Sequence, residues 1–467
     1  MTPVSSSERA SERSGSRRQS QLGWLATLLN AITERGRRGN ASGAAAQHPI
    51  DYAKLLAESL ISERGEASGA AIARELLGVV TGLNKADRAA FFTFLGDGFL
   101  PDATLLRAAA ASYIAEPDAE NAARLAACAE PPRQELLRRM NMAPGATASL
   151  ISLRRELLEQ RPVNAGHQRL DADLRHLLSS WFNRGFLELR RIDWQTPAAI
   201  LEKLIAYEAV HEIQDWQDLR RRLAADRRCF GFFHPALPGE PLIFVEVALV
   251  KGLAGSVTAL LDQQDEHEAV QHQRAKSADT AIFYSISNCQ DGLRGISFGN
   301  MLIKQVVEEL QSELPNLAQF ATLSPVPGFR RWLEGAHGAA VLAEIGDQDD
   351  AGLIAALADP AQPVAGDTQI ILSRLCARYL TATPAFWRID PVAKFHLGNG
   401  ARLERINAMA NSAPRGMAES YGIMVNYLYD LPSIEENHED FTRDGYVHRG
   451  PTVEALLSKR ASKDKKR

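Results

Sequence analysis

Cysteine is scarce: Cys128, Cys229, Cys289 and Cys376 are the only four in 467 residues, and they are widely spaced. No CxxC pair occurs, so neither a zinc knuckle nor a thioredoxin-type site is expected. Free thiols in a reducing compartment are the default reading, with an intersubunit disulfide as the lesser alternative. No apolar run approaches the ~18 residues that cross a bilayer. The net charge of −4 is too small to argue for nucleic acid or a membrane surface as a partner. A signal-peptide apolar core and a peroxisomal terminal tripeptide are both missing. So are the Rossmann GxGxxG, the Walker Lys-Ser/Thr pair and the GxSxG elbow of hydrolases. The expected location is the bacterial cytoplasm. The Ser- and Arg-rich, acid-poor N-terminus leaves mitochondrial targeting as a minor alternative.

What is there is ordinary globular material, 45% hydrophobic and 24% charged. Residues 1–20 read as disordered and residues 456–467 as a charged, solvated tail. From 21 to 185 apolar residues recur at spacings of three and four, as in Leu55, Leu56 and Leu60. Turn signals at Ser68-Gly69, Gly96-Asp97-Gly98, Pro131-Pro132 and Pro144-Gly145 divide this stretch. It predicts a bundle of roughly six to eight short helices, read as an interaction or oligomerisation domain. From 186 to 455 strands appear: 187–192, 229–233 and 242–249, the last two joined as a hairpin through Pro238-Gly239-Glu240-Pro241. Residues 262–279 read as a polar loop and about 340–380 as a helical insertion. The fold class is therefore α+β, a helical bundle followed by a mixed-sheet domain.

The richest stretch is Ile282 to Phe329. Ile282-Phe283-Tyr284-Ser285-Ile286-Ser287 is a β-branched, aromatic strand. A turn with three glycines follows, and then an amphipathic helix over 301–314 with Leu302, Val306, Val307 and Leu310 on one face. Such a turn points unpaired N–H groups along the positive end of a helix dipole, which suits a phosphate or pyrophosphate. Its residues Arg294, Gly295, Ile296, Ser297, Phe298, Gly299 and Asn300 fit loosely the Q/R-x-x-G-x-G/A turn of acyl-CoA sites. Leu323-Ser324-Pro325-Val326-Pro327-Gly328-Phe329 holds a hydroxyl at a strand end before a proline-stiffened loop. The bland alternative for Ser324 is a cap on the following helix. His396 lies among apolar neighbours ahead of Gly398-Asn399-Gly400, as a structural histidine or a proton-transfer group. Arg405, Asn407, Asn426, Tyr427 and Tyr429 read as polar groups in strand-like runs that need buried partners.

In order and spacing, the segments from about Phe182 to Tyr429 resemble malonyl-CoA decarboxylases. The matching text is Phe283–Ser287, Gln290–Gly299, Leu323–Phe329 with Trp332, Pro391–Ala401 and Met424–Tyr429. Arg227-Arg228-Cys229 and Gly239–Leu242 fit as well. The resemblance implies an acetyltransferase-like (GNAT-type) catalytic domain and a homotetramer. It also implies conversion of malonyl-CoA to acetyl-CoA and CO2 with no metal or other cofactor. It assigns Ser324 and His396 as catalytic and Arg294–Asn300 as the CoA-contacting turn. Asn399 and Tyr429 are candidates for supporting or oxyanion contacts. A CoA-dependent N-acyltransferase and a non-catalytic acyl-CoA sensor are the competing readings.

Overall fold

The computed structural model describes residues 48–62, 66–261, 267–296, 302–345, 366–381 and 390–458. The expected N-terminal disorder, part of the helical insertion, most of the charged tail and Ser297, Phe298, Gly299 and Asn300 lie outside them. The chain divides into a helical unit, running to Trp181 and including Asp291–Ile296, and a sheet unit formed by the remainder from Phe182.

The helical unit has eight described helices: α1 (Pro49–Ile61), α2 (Glu66–Gly82), α3 (Lys85–Gly98), α4 (Ala103–Ala115), α5 (Ala119–Ala129), α6 (Pro132–Met140), α7 (Ala146–Glu159) and α8 (Ala165–Trp181). Local chemistry sets several starts. Asn84, Asp102 and Asp118 accept backbone N–H groups at the first turns of α3, α4 and α5, which satisfies donors that a helix leaves unpaired. Leu56 and Leu60 enter the core with Leu76, Val80, Phe91, Leu137 and Met140, whereas Leu55 faces solvent. Two expected turns are instead helix. Gly69 lies inside α2, where the Ala-rich run after it carries the helix on. Gly96 lies in the last turn of α3, where a Cβ would come 2.3 Å from the Gly166 carbonyl. That glycine allows α3 and α8 to touch backbone to backbone. Arg133 closes the junction, donating to the Leu95 and Gly96 carbonyls and, at 2.6 Å, to Asp173.

In the sheet unit the strands are β1 (Glu188–Ile192), β2 (Arg227–Phe233), β3 (Pro241–Val250), β4 (Thr280–Asn288), β5 (Gln319–Thr322), β6 (Ser324–Pro325), β7 (Arg402–Asn407) and β8 (Met424–Leu428). The order is β1-β2-β3-β4-β5-β8-β6, with β7 also on β8. β1 to β4 are antiparallel neighbours, and β2 and β3 are joined by the expected hairpin. These central strands are buried on both faces, as their near-continuous apolar runs require. One core packs Leu204, Leu219, Cys229, Phe233 and Phe244. Another packs Ala248, Ile282, Tyr284, Leu323 and Met424. The α+β expectation holds: helices first, a mixed sheet second. No described helix is long and apolar enough to cross a membrane.

The sheet forks at β4. Its parallel pairing with β5 runs from Thr280↔Gln319 to Phe283↔Thr322, and the Leu323 N–H still reaches the Phe283 carbonyl at 3.0 Å. Beyond that point β4 keeps only β3, while Ser324 pairs with Val425 of β8. The polar stretch at 262–279 contains a helix, Glu268–Ser277, with Ala275 as its one buried residue. Polarity suggested a loop. Glu268 in its first turn and Arg274 and Lys276 in its last suit the helix dipole and let a solvated helix form.

Candidate active site

Ser324 is fixed by the two-residue strand it begins, not by capping. The next helix, Phe329–Leu333, starts at Gly328 with no side-chain cap. His396 lies in the last turn of a helix, Pro391–Gly398. The helix was not expected, although Asp390-Pro391 is a cap followed by a first-turn proline. Asp390 accepts the Val392 and Ala393 N–H groups at 3.1 and 2.9 Å, and also the Gly328 N–H at 3.2 Å. One carboxylate thus ties the loop after Ser324 to the helix bearing His396.

The tie brings together five side chains. Ser324 Oγ is 3.0 Å from His396 Nε2 and donates to Thr322 Oγ1 at 2.8 Å. His396 Nδ1 is 2.8 Å from the Tyr429 hydroxyl. The Tyr427 ring stacks on the imidazole, centroids 4.8 Å apart. All are buried, with Ser324 at 5% and His396 at 3% exposure. Burial alone holds the His396 pKa down at about 3, so the ring is neutral across ordinary pH. Burial also pushes the Tyr429 hydroxyl well above its usual range, keeping it a proton donor.

A neutral imidazole carries one N–H, and the neighbours choose which nitrogen bears it. Thr322 Oγ1 already accepts from the Tyr427 N–H at 3.2 Å and from Ser324, which fills both of its lone pairs. Ser324 therefore receives from Nε2–H, and Nδ1 receives from Tyr429. The chain reads Tyr429 O–H to Nδ1, Nε2–H to Ser324, Ser324 O–H to Thr322. It presents an N–H donor and a hydroxyl side by side without a formal charge. Such a pair suits an oxyanion that develops during reaction.

Among the described residues, Asn399 makes no hydrogen bond to this group. Its amide donates back to the Phe395 carbonyl at 2.6 Å and closes the helix end. Asn426 behaves as the sequence suggested for a buried polar group. It donates to the Thr322 and Ala254 carbonyls and accepts from Arg405 and Asn407, using every site of its amide. Of the turn expected to contact CoA, Arg294, Gly295 and Ile296 are described. They follow a short 3₁₀ turn, Asp291–Leu293, and Gly295 takes a left-handed φ of 78°. Arg294 pairs with Asp291 at the surface. Thr322, Tyr427 and Asp390 were not anticipated at the site. Among the described residues no His, Cys, Asp or Glu cluster could hold a metal ion.

Two family profiles match the chain. The malonyl-CoA decarboxylase C-terminal domain covers residues 185–467 and the N-terminal domain residues 99–182. The chain belongs to the malonyl-CoA decarboxylase family. The mitochondrial malonyl-CoA decarboxylase of Anser anser anser is 36% identical over 70% of this chain and 70% of its own length. That of Rattus norvegicus is 35% identical over 71% of this chain and 72% of its own. The crystal structure of malonyl-CoA decarboxylase from Rhodopseudomonas palustris superposes with a TM-score of 0.79 at 47% identity, covering 87% of this chain and 99% of that one. The family assignment therefore rests on both halves of the chain.

Proposed function

We propose that this chain is a carboxy-lyase that converts malonyl-CoA to acetyl-CoA and CO2. Membership of the family supports the reaction, and the buried Ser324–His396 pair with a neutral imidazole is the observation that carries the mechanism. Breaking the bond between Cα and the carboxylate leaves an electron pair that flows into the thioester carbonyl. The resulting enolate needs a donor at its oxygen. His396 Nε2–H takes that role once the thioester oxygen replaces Ser324 as its acceptor. The Ser324 hydroxyl then orients the malonyl carboxylate out of the thioester plane. A site this dry favours loss of a charged carboxylate as neutral CO2. One proton added at Cα completes acetyl-CoA and restores the balance of charge. The described Arg294–Ile296 and the adjoining Ser297–Asn300 would hold the CoA phosphates.

Two further points belong to this reading. The enzyme assembles as a homotetramer, supported by the α4–α5 hairpin, which exposes Leu105, Tyr113 and Ile114 and buries no residue of α5. It acts in the bacterial cytoplasm, supported by bacterial structures among its relatives. Malonyl-CoA mixed with the purified protein, EDTA and avidin should yield acetyl-CoA and CO2 in equal amounts. Acetyl transfer to an amine without CO2 release would favour an N-acyltransferase instead.

A further inference from the structure

The segment Asp291–Ile296 lies in the chain between β4 and the Leu302–Glu313 helix, yet it packs as part of the helical unit. Arg154 of α7, only 1% exposed, donates from Nη1 to the Gly292 carbonyl at 2.6 Å. Its Nε donates to Asp171 of α8 at 2.8 Å. Gly292 is there because nothing larger fits: a Cβ would stand 2.0 Å from the Ile151 carbonyl. Leu293 and Ile296 are buried on either side of the exposed Arg294. The turn thus has an anchored root and an exposed basic head. The Arg175 side chain passes the same head, its Cδ 4.0 Å from where a Gly295 Cβ would lie.

A guanidinium this buried needs both partners, because an unpaired buried charge is costly. It also has a task that oligomerisation does not explain, since one arm is spent on a backbone carbonyl of the proposed acyl-CoA turn. We propose that Arg154 is a positioning residue for substrate, a clamp by which the helical unit sets Arg294–Ile296 to meet the nucleotide phosphates of acyl-CoA. This rests on reading the chain as an acyl-CoA enzyme.

The test compares Arg154→Met, Arg154→Lys and Gly292→Ala with wild type on two substrates. One is malonyl-CoA. The other is the malonyl thioester of N-acetylcysteamine, which has the reacting group and no nucleotide. Misplacing a binding turn by ~1 Å can cost up to ~10²-fold, so KM for malonyl-CoA should rise ~10-fold or more in Arg154→Met and Gly292→Ala. Arg154→Lys should fall between them and wild type. The short thioester should be turned over as by wild type, and calorimetric binding of acetyl-CoA should weaken in step with KM. Equal losses on both substrates would reduce Arg154 to a structural residue. Malonyl-CoA KM within about twofold of wild type in Arg154→Met and Gly292→Ala would remove the clamp outright. Wild type inert on both substrates would overturn the decarboxylase reading, and acetyl-CoA calorimetry would still decide the clamp.

Discussion

Two buried polar groups occupy the sheet unit, and they are built on opposite principles. One is the neutral chain Tyr429–His396–Ser324–Thr322, carried by β5, β6, the residue after β8 and the Pro391–Gly398 helix. The other lies beside β3 and the far half of β4, where Asp218 and Glu246 hold Arg222 and Glu208 sits on the β4 serines. Glu208 accepts from Ser285, Ser287 and the Val210 and His211 N–H groups. Arg222 bonds Glu246, Asp218 and the His211 carbonyl. The first group can exchange each internal bond for a bond to substrate, since breaking it strands no charge. In the second, breaking an ion pair would leave a charge in the core. The contrast teaches that burial alone does not mark a site. A buried imidazole between two hydroxyls is available for chemistry, whereas a carboxylate such as Glu208, with both oxygens taken, ties its own turn to β4.

The sharpest way to break the comparison is to remove one member from each group. Ser324→Ala and His396→Ala should each lower kcat by ~10²–10⁴-fold, and should cost less stability than Arg222→Ala because no charge is stranded. Wild-type-like turnover in either variant would sink the assignment of the neutral group. Arg222→Ala should do the reverse. It leaves Glu246 and Asp218 buried without their guanidinium, at a cost of ~3–5 kcal/mol in urea unfolding. An Arg222→Ala protein of normal stability would show that the charged group is not the staple it is taken to be. Tyr429→Phe comes next in size. Losing a buried hydrogen bond worth ~1–3 kcal/mol frees the imidazole tautomer and should cost ~10–100-fold in kcat. Its KM should move little, and a rise in KM alone would assign Tyr429 to binding instead.

Much of this was legible in the chain. The strand from Ile282 and the helix that follows its turn, the hairpin at Pro238–Pro241 and the pattern of a helical half before a sheet half are local signals, and the structure has them. Ser324, His396 and Tyr429 came from motif resemblance, which has no geometry in it. What was not legible depends on contacts far apart in sequence. Thr322 is an unremarkable strand residue until Ser324 and Tyr427 both bond its hydroxyl oxygen. Gly96 reads as a turn until the Gly166 backbone arrives against it. The glycine turn read as a plain phosphate loop, yet its root packs in the helical unit. Asp390-Pro391 is a local signal for a helix start, six residues ahead of His396.

Protonation sharpens the comparison most finely. Burial, opposed by Arg222 and reinforced by Glu208, raises the Glu246 carboxyl to about 7 from an unperturbed 4.5. The folded chain therefore binds a proton there that the unfolded chain releases between those values. Glu246 favours folding at low pH, and that contribution is lost as pH rises from about 4.5 through 7. His396 and His211 act with the opposite sign. Their folded values of about 3 and 4 lie below the usual 6.5, so their burial costs stability as pH falls below that value. The two signs overlap in one window, and a raw stability profile would partly cancel. The difference between wild type and Glu246→Gln isolates the carboxyl, because both histidines remain in each protein. Urea unfolding across that window should show wild type losing stability relative to Glu246→Gln as pH rises. A flat difference would mean that Arg222 keeps Glu246 ionised throughout, and the charged group would then be a fixed set of ion pairs with no proton to lose.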